Sequence, residues 1–434
     1  MRDPLTTVAT ALFLITAPTL VSAQPVIVDQ QLLLHLQETI HTQQQQLQQQ
    51  SEQIKAQSEV LKKLQQQITA LQKPASSVQP VAAAPLQTAA PTTITSGNDK
   101  IKLAISGQIN RAFNITNDGS STQIYPVDND ASNSRVRFTG TAQINDDLTL
   151  GTRIEVAIAA DESAVVSQSS QASGDYFNQR WVEASLTSKT FGKLSIGKGD
   201  TASNVTAESD LSKTDVVQYA GIADISGGIY FREKNGIRKL TTLKVSDAFK
   251  SLDGLSRQSR LRYDSPRLFG FSLAGSLVSG QRSDLALVWG GEGYGLKATG
   301  AFAVSNPKLT GVGLTYDGSF SVLHGASGLN LTLSGGLNER DARYDATNLY
   351  LKLGWLSQLT KLGYTAFAID YTRSEQMALQ GDKGYSIGGA VVQAFEKYAT
   401  ELYLQYRIYS LDRASGNQPV ADITVGTFGA RVKF

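Results

Sequence analysis

The strongest constraint on this chain is an alternation. Its last eight residues, Thr427-Phe428-Gly429-Ala430-Arg431-Val432-Lys433-Phe434, place Phe428, Ala430, Val432 and Phe434 on one side of an extended backbone and polar residues or Gly on the other. The same period of two recurs upstream. Val136, Phe138, Gly140, Ala142 and Ile144 alternate with Arg135, Arg137, Thr139, Thr141 and Gln143; Leu349, Leu351, Leu353 and Trp355 alternate with Tyr350, Lys352 and Gly354. A helix cannot keep such a pattern on one face, so residues 99–434 read as sheet.

About sixteen such segments can be marked, at 100–115, 134–144, 148–158, 176–188, 192–199, 257–264, 269–280, 283–290, 294–304, 309–323, 329–338, 347–356, 362–374, 384–395, 399–411 and 420–434. Short turns and longer polar connections join them in turn, which is how transmembrane barrels are built. The polar faces carry Arg, Lys, Glu and Gln, so the expected interior is wet and the apolar faces meet lipid. A soluble up-and-down barrel is the competing architecture. Tyr and Phe near many strand ends suit interfacial girdles.

The rest of the chain fits export. Arg2, the apolar stretch Leu5–Val21 and the small residues Val21-Ser22-Ala23 have the layout of a secretory signal peptide over 1–23, with Gln24 as the mature start. There is no Cys, which excludes disulfides, zinc-thiolate sites and lipidation at an N-terminal Cys. Beyond the signal, no apolar run is long enough for a transmembrane helix. The net charge of +2, with Lys and Arg scattered, argues against nucleic acid as a partner.

Residues 24–73 read as a heptad helix. Leu33, Ile40, Leu47, Ile54, Leu61 and Ile68 recur every seventh residue as a core seam; the second seam position holds Leu36, Gln43, Gln50, Gln57, Leu64 and Leu71. Low-complexity disorder of the Gln tract is the alternative. A seam needs a partner helix, and a second copy of the same segment supplies one. Residues 74–98, with Pro74, Pro80, Pro85 and Pro91, read as an extended linker that reaches up to roughly 75 Å if polyproline-like. The fold class is thus an all-β transmembrane antiparallel barrel of about sixteen strands, preceded by an α-helical coiled coil.

Three segments carry a family resemblance. They are Arg180-Trp181-Val182-Glu183-Ala184-Ser185-Leu186 with Phe191-Gly192-Lys193-Leu194-Ser195-Ile196-Gly197-Lys198; Arg260-Leu261-Arg262-Tyr263-Asp264-Ser265-Pro266 with Phe269-Gly270-Phe271-Ser272-Leu273; and the terminal strand. With the strand rhythm they resemble the general trimeric porins of Gram-negative bacteria, over residues 99–434. The heptads resemble those of a porin subset with a periplasmic N-terminal coiled coil. The resemblance implies an outer-membrane homotrimer that admits small hydrophilic or charged solutes, with lipid around it. Its last strand would be read by the barrel-assembly machinery through Phe428, Val432 and Phe434. Both ends of the barrel would face the periplasm, so the coiled coil lies there, with peptidoglycan as a further contact.

The resemblance also implies that residues 200–256 fold into the barrel as a constriction loop. Asp200, Glu208, Asp210, Asp215 and Asp224 lie in its first half, and Arg232, Lys234, Arg238, Lys239, Lys244 and Lys250 in its second. Inward residues Arg135, Arg137, Arg153, Arg260 and Arg262 would oppose the acids, Asp210 and Asp215 facing Arg135 and Arg137, and give a transverse field across a narrow pore. An enzyme is not expected: His35, His41 and His324 are the only histidines, and no phosphate loop or metal-ligand cluster is visible, so no cofactor and no metal site are assigned. The alternative function is a structural anchor whose coiled coil spaces the outer membrane from the cell wall.

Overall fold

The structure, a computed structural model, describes residues 100–171, 177–341 and 344–434, the strand Thr93–Thr95, and five single helical positions. Those five, Gln45, Gln48, Glu52, Lys55 and Glu59, are exposed. They fall one after or two before a seam position, where an outward side chain is expected. The proposed seam residues Leu33, Ile40, Leu47, Ile54, Leu61 and Ile68, the segment 1–23 and most of the linker lie outside the described residues.

The strands run in chain order: β1 (Thr93–Thr95), β2 (Ile101–Asn117), β3 (Thr122–Asp128), β4 (Arg135–Gln143), β5 (Leu148–Ala157), β6 (Asn178–Ser188), β7 (Gly192–Asp200), β8 (Tyr230–Arg232), β9 (Leu240–Lys244), β10 (Arg257–Asp264), β11 (Phe271–Val278), β12 (Arg282–Gly293), β13 (Leu296–Asn306), β14 (Thr315–His324), β15 (Leu329–Asn338), β16 (Ala346–Thr360), β17 (Gly363–Glu375), β18 (Lys383–Phe395), β19 (Thr400–Asp412) and β20 (Ile423–Lys433).

Each barrel strand pairs antiparallel with the next, and β20 pairs with β2 from Lys433↔Gln108 to Thr424↔Asn117, closing the ring. The count is sixteen because β3 and β4 share one place. β3 pairs with the upper half of β2 and β4 with its lower half, on the same side. Residues 129–134, with a 3-10 turn at Asp130–Ser132, bulge inward between them. β3 falls between the expected segments 100–115 and 134–144, where Pro126 and the polar 129–134 stretch interrupt the alternation.

Pairing of β20 with β2 joins the two ends of the barrel sheet. At the seam Phe434 exchanges backbone hydrogen bonds with Gly107 (2.8 and 3.0 Å), and its ring covers the glycine, where a Cβ would lie 2.4 Å from the ring. β1 pairs with the start of β2, from Thr93↔Ala104 to Thr95↔Lys102. Short turns such as 294–295 and 361–362 share the rim with Phe434. The opposite rim carries the longer connections 158–177, 201–256 and 413–422, though 279–281 there is also tight. Gly328, at φ +72° in one short turn, sits so close to the Leu356 carbonyl that a side chain would collide with it.

The outer face is a band of exposed apolar residues, among them Phe113, Leu273, Phe302, Leu353, Ile369, Leu404 and Phe428. Phe113 stacks on Phe428 across the seam, and Trp355 on Phe367 near the short-turn rim. Phe428, Val432 and Phe434 lie on this outer face. Among the described residues no helix is long and apolar enough to cross a membrane.

The interior corrects one expectation: it is not wet throughout. Residues 201–256 enter the barrel, and their apolar side chains build a core there. Val216, Val217, Ile222, Ile225, Ile229, Phe231, Val245 and Phe249 are buried with Tyr350, Val392, Tyr403, Tyr409 and Val425 from the inner wall. The apolar core of this barrel therefore sits between the loop and the inward face of β16–β20.

Candidate functional site: a charged constriction

The loop's path fixes what remains open. Its first part, 201–218, is fastened strand by strand to the inner wall. The Ala202 amide donates to Ser276 Oγ (2.7 Å) and Ser203 to Asp284 (2.9 Å). The Ser209 amide donates to Ser319 Oγ (2.9 Å), the Leu211 amide to Ser321 Oγ (3.0 Å), and Ser334 Oγ to the Ala207 carbonyl (2.7 Å). Lys352 ends the series: its fully buried ammonium meets the Asp210 carboxylate, Thr214 Oγ1 (3.1 Å) and the Gln218 carbonyl (2.9 Å). A buried backbone must find partners, and inward hydroxyls on successive strands supply them. Cavities remain on the other side, against β4–β7 and β10.

That side is strongly basic. Glu155 on β5, its side chain fully buried, collects four guanidinium groups: Arg137 (2.5 Å), Arg180 (2.7 Å), Arg153 (3.0 Å) and Arg135 (4.0 Å). One carboxylate against four guanidiniums leaves excess positive charge on the wall. Arg180 is there because of a bulge: Glu155 pairs with Trp181 but Val156 with Gln179, so Arg180 is the extra residue. Strict alternation would put it on the lipid face with Val182; the bulge re-aims it inward. Trp181, 6% exposed, is the platform beneath, with the guanidinium carbons of Arg153, Arg257 and Arg180 at 3.6, 4.9 and 5.7 Å from its ring.

A cavity of about 390 Å³ opens between this wall and the loop. Arg135, Arg180 and Arg257 line it together with Asp130, Glu208, Asp224 and Asp253. Asp253 accepts hydrogen bonds from the Val205 and Ala207 amides (2.7 and 3.0 Å), which joins the two ends of the loop. The Tyr219 hydroxyl donates to Asp224. Burial, and then the charge of Asp130, pushes the Asp224 carboxyl up to about 8. Burial, with a smaller push from the charge of Asp200, raises Asp253 to about 6, even against those amides. Glu208 is held well above the carboxylate range by burial and by the neighbouring Asp253.

Of the residues singled out in the sequence, Arg135, Glu208 and Asp224 line this cavity, and Arg137 and Arg153 join Arg135 at Glu155. Arg262 is half-buried, held by Asp264 (2.7 Å) and the Thr201 carbonyl (2.6 Å). Three do not match their expected role. Arg260, its side chain 3% exposed, is consumed by Glu183 (2.5 Å) and the Gly197 and Asp200 carbonyls. Asp210 turns to Lys352 on the far wall. Asp215 is exposed and forms no described ion pair with Arg135 or Arg137, whose carboxylate partner is Glu155. Sequence reasoning missed Arg180 and Arg257; the Arg180-Trp181 pair was visible as a motif, but nothing marked the bulge. The loop's basic half lies away from the cavity: Arg232 pairs with Asp118 (2.6 Å), and 233–239 is the tip of the β8–β9 hairpin. Among the described residues no group of His, Cys, Asp and Glu could hold a metal ion.

The fold is similar to that of the anion-selective porin from Comamonas acidovorans, with TM-score 0.53 at 15% identity over 77% of this chain and 100% of that one. It is also similar to outer-membrane expressed OmpT of Vibrio cholerae, with TM-score 0.51 at 13% identity over 79% of this chain and 100% of that one. Among curated proteins none matches this chain. The family model described as Gram-negative porin matches residues 75–429. A closed barrel with an apolar outer band, a polar lumen and a loop folded inside it is what that family builds, and the chain belongs to the Gram-negative porins, outer-membrane channels for passive diffusion.

Proposed function

We propose that this porin prefers anions, and that its solutes pass between the arginine cluster and the inserted loop. The observation that carries the reading is the four-to-one ratio of guanidinium to carboxylate around Glu155, on the wall opposite the loop. Arg257, paired with Asp200 (3.1 Å), lines the same cavity. Among the facing carboxyls Asp224 is raised to about 8 and so is mostly protonated at neutral pH, which weakens the loop's opposition to the wall. A narrow passage with one sign of charge on a low-dielectric wall concentrates ions of the other sign. The similar Comamonas acidovorans protein is called anion-selective, which fits.

We further read the functional unit as a homotrimer. The heptads of residues 24–73 then find their seam partners in the other two copies, on the periplasmic side where β1 and Phe434 lie.

The test is the zero-current potential of purified protein in a planar bilayer under a KCl gradient. The expected result is selectivity for chloride, and a shift toward potassium in Arg135→Glu/Arg180→Glu. A potassium-selective wild type, or a potential unmoved by the double charge reversal, would overturn the reading.

A further inference from the structure

A second cavity, of about 560 Å³, adjoins the charged one on the side of the longer connections. The two share Gly221, Asp224, Ser251 and Asp253 in their linings, so they lie side by side. Their linings differ. The charged cavity has arginines and carboxyls, whereas the outer one adds Leu252, Pro307, Leu309, Val312 and Met377 to the shared Asp224 and Asp253. Leu309 is 62% exposed, an apolar surface a polar diffusion path does not need. Cations stand at its mouth: Lys250 is exposed, and Arg340 donates to the Met377 carbonyl (3.1 Å).

We infer that this antechamber binds organic monoanions with a compact apolar body, such as short-chain carboxylates, and delivers them head-first to Arg135, Arg180 and Arg257. The apolar part loses water against Leu309, Val312 and Leu252 while the carboxylate is drawn to Lys250 and Arg340. A hydrophilic anion of the same length gains only the second interaction. The two cavities are large enough to hold such a solute astride their common wall. The proposal rests on the anion-preferring passage described above and adds to it a site that discriminates by apolarity.

Hexanoate and gluconate test it, since both carry six carbons and one carboxylate and differ in apolarity. Each is added on the long-loop side of single channels conducting chloride, and the concentration that halves the current is read. Hexanoate should half-block at about one-tenth the gluconate concentration, the scale expected for partial burial of a short methylene chain. In Leu309→Ser/Val312→Ser, both in a surface connection, the hexanoate value should rise toward that of gluconate, with gluconate block and the chloride-to-potassium ratio unchanged. Equal half-block by the two anions in the wild type, or a double variant that blocks like wild type, would overturn the inference. The zero-current potential of the same membranes reads the parent proposal separately: chloride selectivity without hexanoate preference rejects the antechamber alone.

Discussion

Lys352 shows how an inward polar residue of this barrel is used. By alternation it belongs to the lumen, yet it is fully buried and spent on Asp210, Thr214 and Gln218 of the loop. Removing one member of a buried pair leaves the other charge unpaired, at about 3–5 kcal/mol. Lys352→Met should therefore lower the heat resistance of the folded barrel in detergent, and Lys352→Met/Asp210→Leu should recover most of the loss. Conductance of the single variant should become noisier as the loop loosens. A Lys352→Met protein as heat-resistant as wild type would show that other anchors suffice. Ser276, Ser319, Ser321 and Ser334 teach the same lesson with hydroxyls: in sequence they resemble water contacts, and in the fold they receive the loop backbone.

At the scale of elements the loop is the working part. Its carboxyls Asp224 and Asp253 face Arg180 and Arg257 across the passage, with Asp130, Asp200 and Glu208 beside them. A raised carboxyl is neutral below its shifted value and anionic above it. As pH falls from about 8 through about 6, Asp224 and then Asp253 take up protons, and the loop side loses negative charge while the arginines keep theirs. Chloride preference should rise over that window and flatten in Asp224→Asn/Asp253→Asn; a zero-current potential constant from pH 8 to 5 would contradict this account. The strands were legible in the sequence because a period of two with one lipid face leaves few alternatives; their predicted ends differ from the observed ones by a few residues. The loop was legible only in outline. Val216, Ile222, Ile229 and Phe231 carry no strand or helix period, so nothing marked them as a core inside the barrel. Asp210 and Asp215 were misplaced because sequence gives charge but not direction, and Arg180 was missed because one extra residue in β6 reverses the facing.

At the scale of the whole molecule, the barrel is divided lengthwise. One side is filled by loop and apolar core; on the other a charged cavity lies against β4, β6 and β10 and adjoins a second, more apolar cavity. The chain contains no Cys, so a single introduced thiol can be labelled without background. Ser251 lines both cavities, whereas Lys308 is exposed on a connection outside the charged one. The most direct measurement is single-channel recording of Ser251→Cys during treatment with a negatively charged, sulfonate-bearing thiol reagent, with Lys308→Cys as the control. If solutes cross between the arginine cluster and the loop in each of three copies, current through Ser251→Cys falls in three equal steps and Lys308→Cys is little changed. Undiminished current through labelled Ser251→Cys would place the conducting path elsewhere in the barrel, and loss in a single step would contradict the trimer.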